Sequence, residues 1–358
     1  MDLKAKAKKL PETPGVYVMK DSQGNILYIG KAKSLRNRVS QYFQNSRQHP
    51  PKILRLIEGI RDFDYIYADT ELEALLLECR LIKDIKPMYN SQLKNHRKYV
   101  YICINTDEKY PTLGIEAEKT EQGICYGPYT SQNNVERAVD SIKETLKLRH
   151  CSNYTVRHSG CLNFQLGLCS APCAGEIQEA DYKGRIADAV SFLKGSKSDL
   201  IKQTEAKMIA AAERLDFNKA AKYRDDIKAL AHLSNKQKTI KFTGSSKLVA
   251  ALEKVTDMEY KLFLMKGSRV IYKERLDASV GRDVVEQYTF QLVLNYKEEL
   301  IKNEFLEIEK DEIDQAQIVY SYLKNKKDCC YVTIAKSWLN KNDTTKLQQA
   351  IKKLMISI

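Results

Sequence analysis

The chain has 358 residues, 29% of them charged and 43% hydrophobic, which excludes a disordered or low-complexity polypeptide and calls for two or three domains. No apolar run approaches the ~20 residues of a membrane span, and the start MDLKAKAKKL has no apolar signal core, so a cytoplasmic protein with no membrane contact is expected. With 59 Lys+Arg against 46 Asp+Glu the net charge is +13, and residues 1–100 alone hold 19 basic and 11 acidic side chains, so a polyanion such as nucleic acid is the expected partner.

Residues 14–30 pattern as a hairpin: Val16 and Val18, then Ile26 and Tyr28, around a turn from Asp21 to Asn25. A basic helix follows from Ser34 to Phe43. Thr70-Glu-Leu-Glu73 is a capping box opening an apolar helix that ends before Pro87. Residues 99–130 suit short strands, with turns at Tyr110-Pro111 and Gly127-Pro128, and 134–148 an amphipathic helix. Residues 150–175 are cysteine-rich and lack periodicity. Residues 199–214 and 217–233 form two helices about Leu215-Asp216, an antiparallel helical hairpin. The polar stretch 235–246 has the composition of a linker. A further hairpin, Lys261–Met265 with Arg269–Lys273, precedes more helices, and Glu304–Asp314 suit a solvated helix face. The expected class is α+β, with domains at 1–98, 99–180, 195–236 and 247–358.

Glu78 is the most telling single residue. Its helical neighbours Ala74, Leu75, Leu81 and Ile82 are all apolar, so its carboxylate faces the core side and needs a cationic partner or a metal. One carboxylate suits Mg²⁺, which keeps several waters. Tyr17 and Tyr28 fall on facing strands, and Lys31, close in sequence, would favour the phenolate of Tyr28. Arg38, one turn from Ser34, could fork onto a phosphate.

Cys151, Cys161, Cys169 and Cys173 lie within 23 residues, spaced Cys-x9-Cys-x7-Cys-x3-Cys. That is not the paired spacing of a zinc ribbon, and four thiolates satisfy either Zn²⁺ or a [4Fe–4S] cluster. His150 and His158 are expected to face phosphate or solvent. Cys79, Cys103 and Cys125 are expected as separate small core thiols. In the hairpin, Ile209, Ala212, Phe217, Ala221 and Leu230 would stay partly exposed, suiting a partner hairpin.

Pro14-Gly15-Val16-Tyr17, Tyr28-Ile29-Gly30-Lys31, Leu35-Arg36-Asn37-Arg38, Glu78 in LLLECRLIK and Lys86-Pro87-Met88-Tyr89-Asn90 together resemble the GIY-YIG nuclease family, in its UvrC branch. The resemblance implies a small α/β/α nuclease fold with a short mixed or antiparallel sheet. It implies Tyr28 as general base, Lys31 as its modulator, Arg38 as phosphate clamp and Glu78 as ligand of Mg²⁺ or Mn²⁺. Tyr17, Tyr42 and Asn90 complete the pocket, and either Tyr17 or Tyr28 takes the proton. CLNFQLGLCSAPCAG resembles the cysteine-rich region of the same family, where the resemblance implies an iron–sulfur site. Residues 213–225 resemble the UVR motif, which implies a UvrB-type helicase subunit as partner of residues 195–236, through Phe217, Ala221 and Tyr223. The implied activity is a single, 3′-side incision of lesion-bearing double-stranded DNA in nucleotide excision repair. A catalytically idle DNA-binding adaptor is the alternative.

Overall fold

A computed structural model of the chain describes residues 2–44, 49–91, 93, 99–152, 154–196, 199–244, 248–301, 312–326, 328–339 and 344–356. It is an α+β protein of two compact units, residues 1–96 with 242–358 and residues 97–241. Most of Glu304–Asp314, expected as a solvated helix face, lies outside the described residues. Among the described residues no helix is long and apolar enough to cross a membrane.

The first unit begins with α1 (Leu3–Lys8), β1 (Gly15–Lys20), β2 (Ile26–Ala32), α2 (Leu35–Ser40), a 3₁₀ turn at Gln41–Phe43, α3 (Pro51–Gly59), β3 (Asp62–Tyr67) and α4 (Glu71–Ile85). The strands form an antiparallel sheet in the order β2-β1-β3. Alternation along β1 sends Tyr17 and Met19 to a core with Leu35, Val39, Leu56 and Phe63. Val16 and Val18 face the other way, against Ile29 and Ile82. Gly15 is required: a Cβ there would lie 2.5 Å from the Ile66 carbonyl oxygen. The capping box of α4 forms, with the Glu73 amide donating to Thr70 Oγ1 at 3.3 Å and Glu73 Oε2 accepting from the Asp69 amide at 3.0 Å.

The second unit holds β4 (Val100–Ile104), β5 (Leu113–Glu116), β6 (Ile124–Tyr129), α5 (Gln132–Leu146), the short α6 (Leu162–Gln165), α7 (Glu179–Leu193), α8 (Leu200–Glu213) and α9 (Phe217–Gly244). Its sheet has the order β5-β4-β6. Ile102, Ile104, Val139, Ile142, Tyr182, Phe192, Leu230 and Leu233 share one core, so the stretches 99–180 and 195–236 pack together.

Three local expectations are corrected here. Of 235–246, expected as a linker, 235–244 are helical, while 245 and 246 lie outside the described residues: α9 runs on to Gly244, because Lys and Gln are good helix formers and Leu233, Lys236 and Thr239 continue its buried face. Gly127-Pro128 lies inside β6, at a register shift opposite Val100 and Ile102, not in a turn. Cys103 and Cys125, expected as separate thiols, are joined in a disulfide, since β4 and β6 set them directly opposite each other. Cys79 is a buried free thiol.

The first unit resumes with β7 (Leu248–Lys254), β8 (Glu259–Lys266), β9 (Arg269–Asp277), α10 (Arg282–Asn295), α11 (Lys297–Ile301), α12 (Ile313–Asn325), β10 (Cys329–Ile334) and α13 (Thr344–Ile356). The antiparallel order is β10-β7-β8-β9. Both faces of this sheet are covered. Leu248, Ala250, Leu262 and Leu264 pack under Val285, Leu292, Leu347 and Ile351. Val249, Ala251, Phe263 and Met265 pack under Val319, Leu323 and, from α4, Leu72. Residues 1–96 and 242–358, kept apart in the sequence reading, therefore share a core along α4.

Candidate active site

Gly30 lets the tyrosines meet. A Cβ on it would lie 2.3 Å from the Tyr17 hydroxyl and 2.9 Å from the Tyr28 ring, so any larger residue would expel Tyr17. Tyr17 is fully buried, and its hydroxyl lies 2.8 Å from that of Tyr42 in a shared hydrogen bond. The Tyr17 and Tyr28 ring centroids are 6.1 Å apart. The exposed Arg38 guanidinium lies 5.4 Å from the Tyr42 ring centre, and among the described residues no carboxylate pairs with it.

Burial, with the neighbouring charges of Tyr42 and Glu78, pushes Tyr28 up to about 12, and burial holds Tyr17 well above the ordinary phenol value. The expectation that Lys31 eases ionisation of Tyr28 is corrected. The Lys31 Nζ turns away to Glu71 Oε1 at 2.6 Å, and Arg38 is the cation that acts on Tyr28.

Glu78 stands on α4 facing β2. The Lys31 backbone amide donates to its Oε1 at 2.8 Å. Burial raises its pKa, against the lowering effect of Lys31 and Arg38. It opens onto a cavity of about 310 Å³ lined also by Tyr28, Lys52, Ile53, Tyr89 and Asn90. A carboxylate lifted by burial at a cavity wall is one that a cation would hold ionised, so the site fits a divalent metal. Among the described residues no three His, Cys, Asp or Glu side chains form a ready metal cage. One protein ligand with water completing the shell is the arrangement Mg²⁺ tolerates.

Asn90 is a clamp. Its Oδ1 accepts from the Ile29 amide at 3.0 Å, and its Nδ2 donates to the Ile29 carbonyl at 2.9 Å. It thereby fixes the strand between Tyr28 and Gly30. Two residues escaped the sequence reading. His49 stacks on Tyr42, ring centroids 6.4 Å apart, with a buried Nε2 that has no hydrogen-bond partner among the described residues. Glu71 takes the Lys31 ammonium. A glutamate in the first turn of a helix reads as a partner of the helix dipole, so no local signal marks it.

In the second unit, the buried Arg149 holds the start of the cysteine segment. Its guanidinium donates to the carbonyls of Cys151 at 2.6 Å and Ser152 at 2.9 Å and pairs with Glu108. Burial raises the Cys169 thiol, and Cys161, Cys151 and Cys173 all lie close enough to act on it electrostatically. The Ala171 amide donates to Cys169 Sγ at 3.4 Å. Backbone amides of Phe164 and Asn163, at the start of α6, lower Cys161. The four thiols supply the donor type of a thiolate-bound metal, but among the described residues no three His, Cys, Asp or Glu side chains are placed to hold an ion. His150 is not phosphate-facing: its Nε2 is buried, with no hydrogen-bond partner among the described residues, and burial lowers its pKa, while His158 is exposed.

The hairpin turns at Leu215, whose φ is +60°, and Asp216 Oδ1 accepts from the Lys219 amide at 3.1 Å. Ile209 and Phe217 are exposed, Ala221 and Tyr223 half-buried. Leu230 is fully buried, against the expectation of partial exposure, because this end of α9 packs into the unit's own core.

Three family patterns match in succession: a UvrC-like GIY-YIG domain over residues 13–91, a UvrC/Cho excinuclease middle domain over 99–192 and a UvrB/uvrC motif over 198–233. The UvrABC system protein C of Caldanaerobacter subterraneus subsp. tengcongensis is 40% identical over 280 residues, covering 76% of this chain and 45% of that protein. That of Acetivibrio thermocellus is 35% identical over 336 residues, 91% of this chain and 53% of that protein. The chain thus spans about half the length of the curated relatives it matches. A magnesium-bound GIY-YIG N-terminal endonuclease domain of UvrC from Thermotoga maritima is 39% identical, covering 25% of this chain and 94% of that one, with a TM-score of 0.23.

Proposed function

Because the chain belongs to the UvrC-like GIY-YIG family, we propose that it is a metal-dependent DNA endonuclease that makes one incision, on the 3′ side of a lesion, in nucleotide excision repair. The observation that carries this reading is the gathering of Tyr17, Tyr28, Tyr42 and Arg38 about the β1–β2 pair, with Tyr28 and Glu78 opening onto one cavity. An idle adaptor has no use for a buried tyrosine pair beside an arginine that no carboxylate neutralises among the described residues and a cavity-facing carboxylate.

A divalent cation held by Glu78 supplies charge to the scissile phosphate and a more acidic water. Arg38, with no carboxylate partner among the described residues, takes a phosphate oxygen. Tyr28 faces the cavity and accepts the proton of the attacking water. Tyr17 and Tyr42, joined through their hydroxyls, hold the Tyr28 ring from behind. Asn90 keeps Ile29 in register, and Gly30 leaves the space for Tyr17.

Cys151, Cys161, Cys169 and Cys173 are proposed to hold a [4Fe–4S] cluster, with Zn²⁺ as the alternative ion. Four cysteine side chains in one segment, NH···S bonding at Cys169 and a lowered Cys161 support thiolate ligation. The exposed Phe217, with Ala221 and Tyr223 on α9, is proposed to meet a UvrB-type helicase subunit. Lesion-bearing double-stranded DNA is the substrate.

The test is a duplex with one lesion, labelled separately at each end of the damaged strand and incubated with Mg²⁺ and UvrA- and UvrB-type partners. One 3′-side product that disappears on chelation supports the proposal. Binding without any cut would turn the assignment to the adaptor, and two cuts would overturn the single site.

A further inference from the structure

Glu71 and Glu78 are seven residues apart, two turns along the same face of α4. Lys31 is strung between them: its backbone amide donates to Glu78, and its Nζ lies 2.6 Å from Glu71 Oε1. The other Glu71 oxygen, Oε2, receives Lys326 at 3.0 Å and the exposed Lys33 at 3.2 Å. Lys326 sits just past the end of α12, in the 242–358 part of the first unit. Its Nζ also lies 5.7 Å from the Tyr322 ring centre, and the Tyr322 hydroxyl bonds the buried Glu253 of β7. Further ion pairs hold the start of α4 to the same sheet: Lys261 to Asp69 at 2.6 Å and Lys273 to Glu73 at 2.7 Å.

We propose that Glu71 and Lys326 are positioning residues for the nuclease site, Lys326 acting through Glu71 on Lys31. The proposal rests on the reading of that site given above. The geometry explains why one buried carboxylate serves three lysines. With Lys326 and Lys33 both on one oxygen, Glu71 keeps its other oxygen for Lys31, which draws the lysine side chain along α4 and fixes its backbone amide on Glu78. The segment 242–358 thereby sets the carboxylate that faces the cavity, without touching the reacting atoms.

The experiment is a double-mutant cycle of Lys326→Gln and Glu71→Gln in the full chain, with Lys326→Arg as rescue. Incision of a lesion duplex, melting temperature and the ¹⁵N-labelled Lys31 side-chain ammonium resonance are followed together. Lys326→Gln should lower kcat about tenfold with KM unchanged. Lys326→Arg should restore it, the double variant should lose no more than Glu71→Gln alone, and the Lys31 ammonium signal should broaden in Lys326→Gln. A raised KM with unchanged kcat and a shallower salt dependence would make Lys326 a direct DNA contact and overturn the proposal. Additive losses that track melting temperature would reduce it to a fold contact. An unchanged ammonium signal would refute it even where incision is normal. The expected ammonium behaviour in a wild-type protein that makes no cut would instead count against the nuclease assignment alone.

Discussion

The amide nitrogen of Lys31 lies 2.8 Å from Glu78 Oε1, so the strand that carries Tyr28 orients the carboxylate of the facing helix. This bond separates shape from charge. Glu78→Gln keeps an oxygen that can accept from Lys31, so its melting temperature should stay within about 2 °C of wild type. It loses the negative charge that holds the metal, and incision in Mg²⁺ should be abolished while DNA binding remains. Normal incision by this variant would refute the metal assignment.

With Tyr28 pushed up to about 12 by burial and its neighbours' charges, only about one molecule in 10⁵ carries the phenolate at pH 7 before metal binds. The rate under saturating DNA should therefore rise with pH, without a plateau, from about pH 6 to 9. Tyr28→Phe should remove that dependence along with most of the activity. A plateau near neutrality in the wild type would point to a different base.

Glu71 is driven up by burial, but the hydrogen bonds and charges of Lys31, Lys326 and Lys33 more than offset this and bring it down to about 2. A depressed carboxylate pKa stabilises the folded state above the unfolded value and loses that contribution as pH falls toward the folded one. Wild type should thus be more stable than Glu71→Gln at neutral pH, and the gap should close between about pH 4.5 and 2. Denaturant melts at several pH values measure it; a gap that widens on acidification would contradict the ion-pair cluster.

Asn90 makes two buried hydrogen bonds with the Ile29 backbone. Asn90→Ala should leave both peptide groups unpaired and cost about 2–3 kcal/mol of stability. Incision should fall at temperatures where the variant is still folded, because the strand between Tyr28 and Gly30 loses its clamp. Urea unfolding beside incision assays separates the two effects.

Anaerobically purified protein should be brown, absorb near ~400 nm and lose the colour in Cys169→Ala, since a [4Fe–4S] cluster needs all its thiolates. Colourless protein with stoichiometric zinc would replace iron by zinc at the same four cysteines.

Much of this molecule is local and therefore legible in the chain. Alternation along β1 and β2, the capping box at Thr70 and the Leu215-Asp216 break each depend on neighbours within a few residues. The apolar surroundings of Glu78 within its own helix were enough to mark it as a carboxylate in need of a partner. What remained hidden depends on residues brought together from afar. Glu71 becomes a hub only because Lys326 arrives from 255 residues away. Lys31 serves Glu71 and not Tyr28 because the facing helix offers it a carboxylate 40 residues on. Cys103 meets Cys125 through strand register, and residues 235–244 stay helical because a core formed by distant strands takes their inner face. Local sequence determined which elements form and which residues could do chemistry. Tertiary structure alone decided which charge meets which, since an ion pair is set by distance in space and the sequence records only distance along the chain.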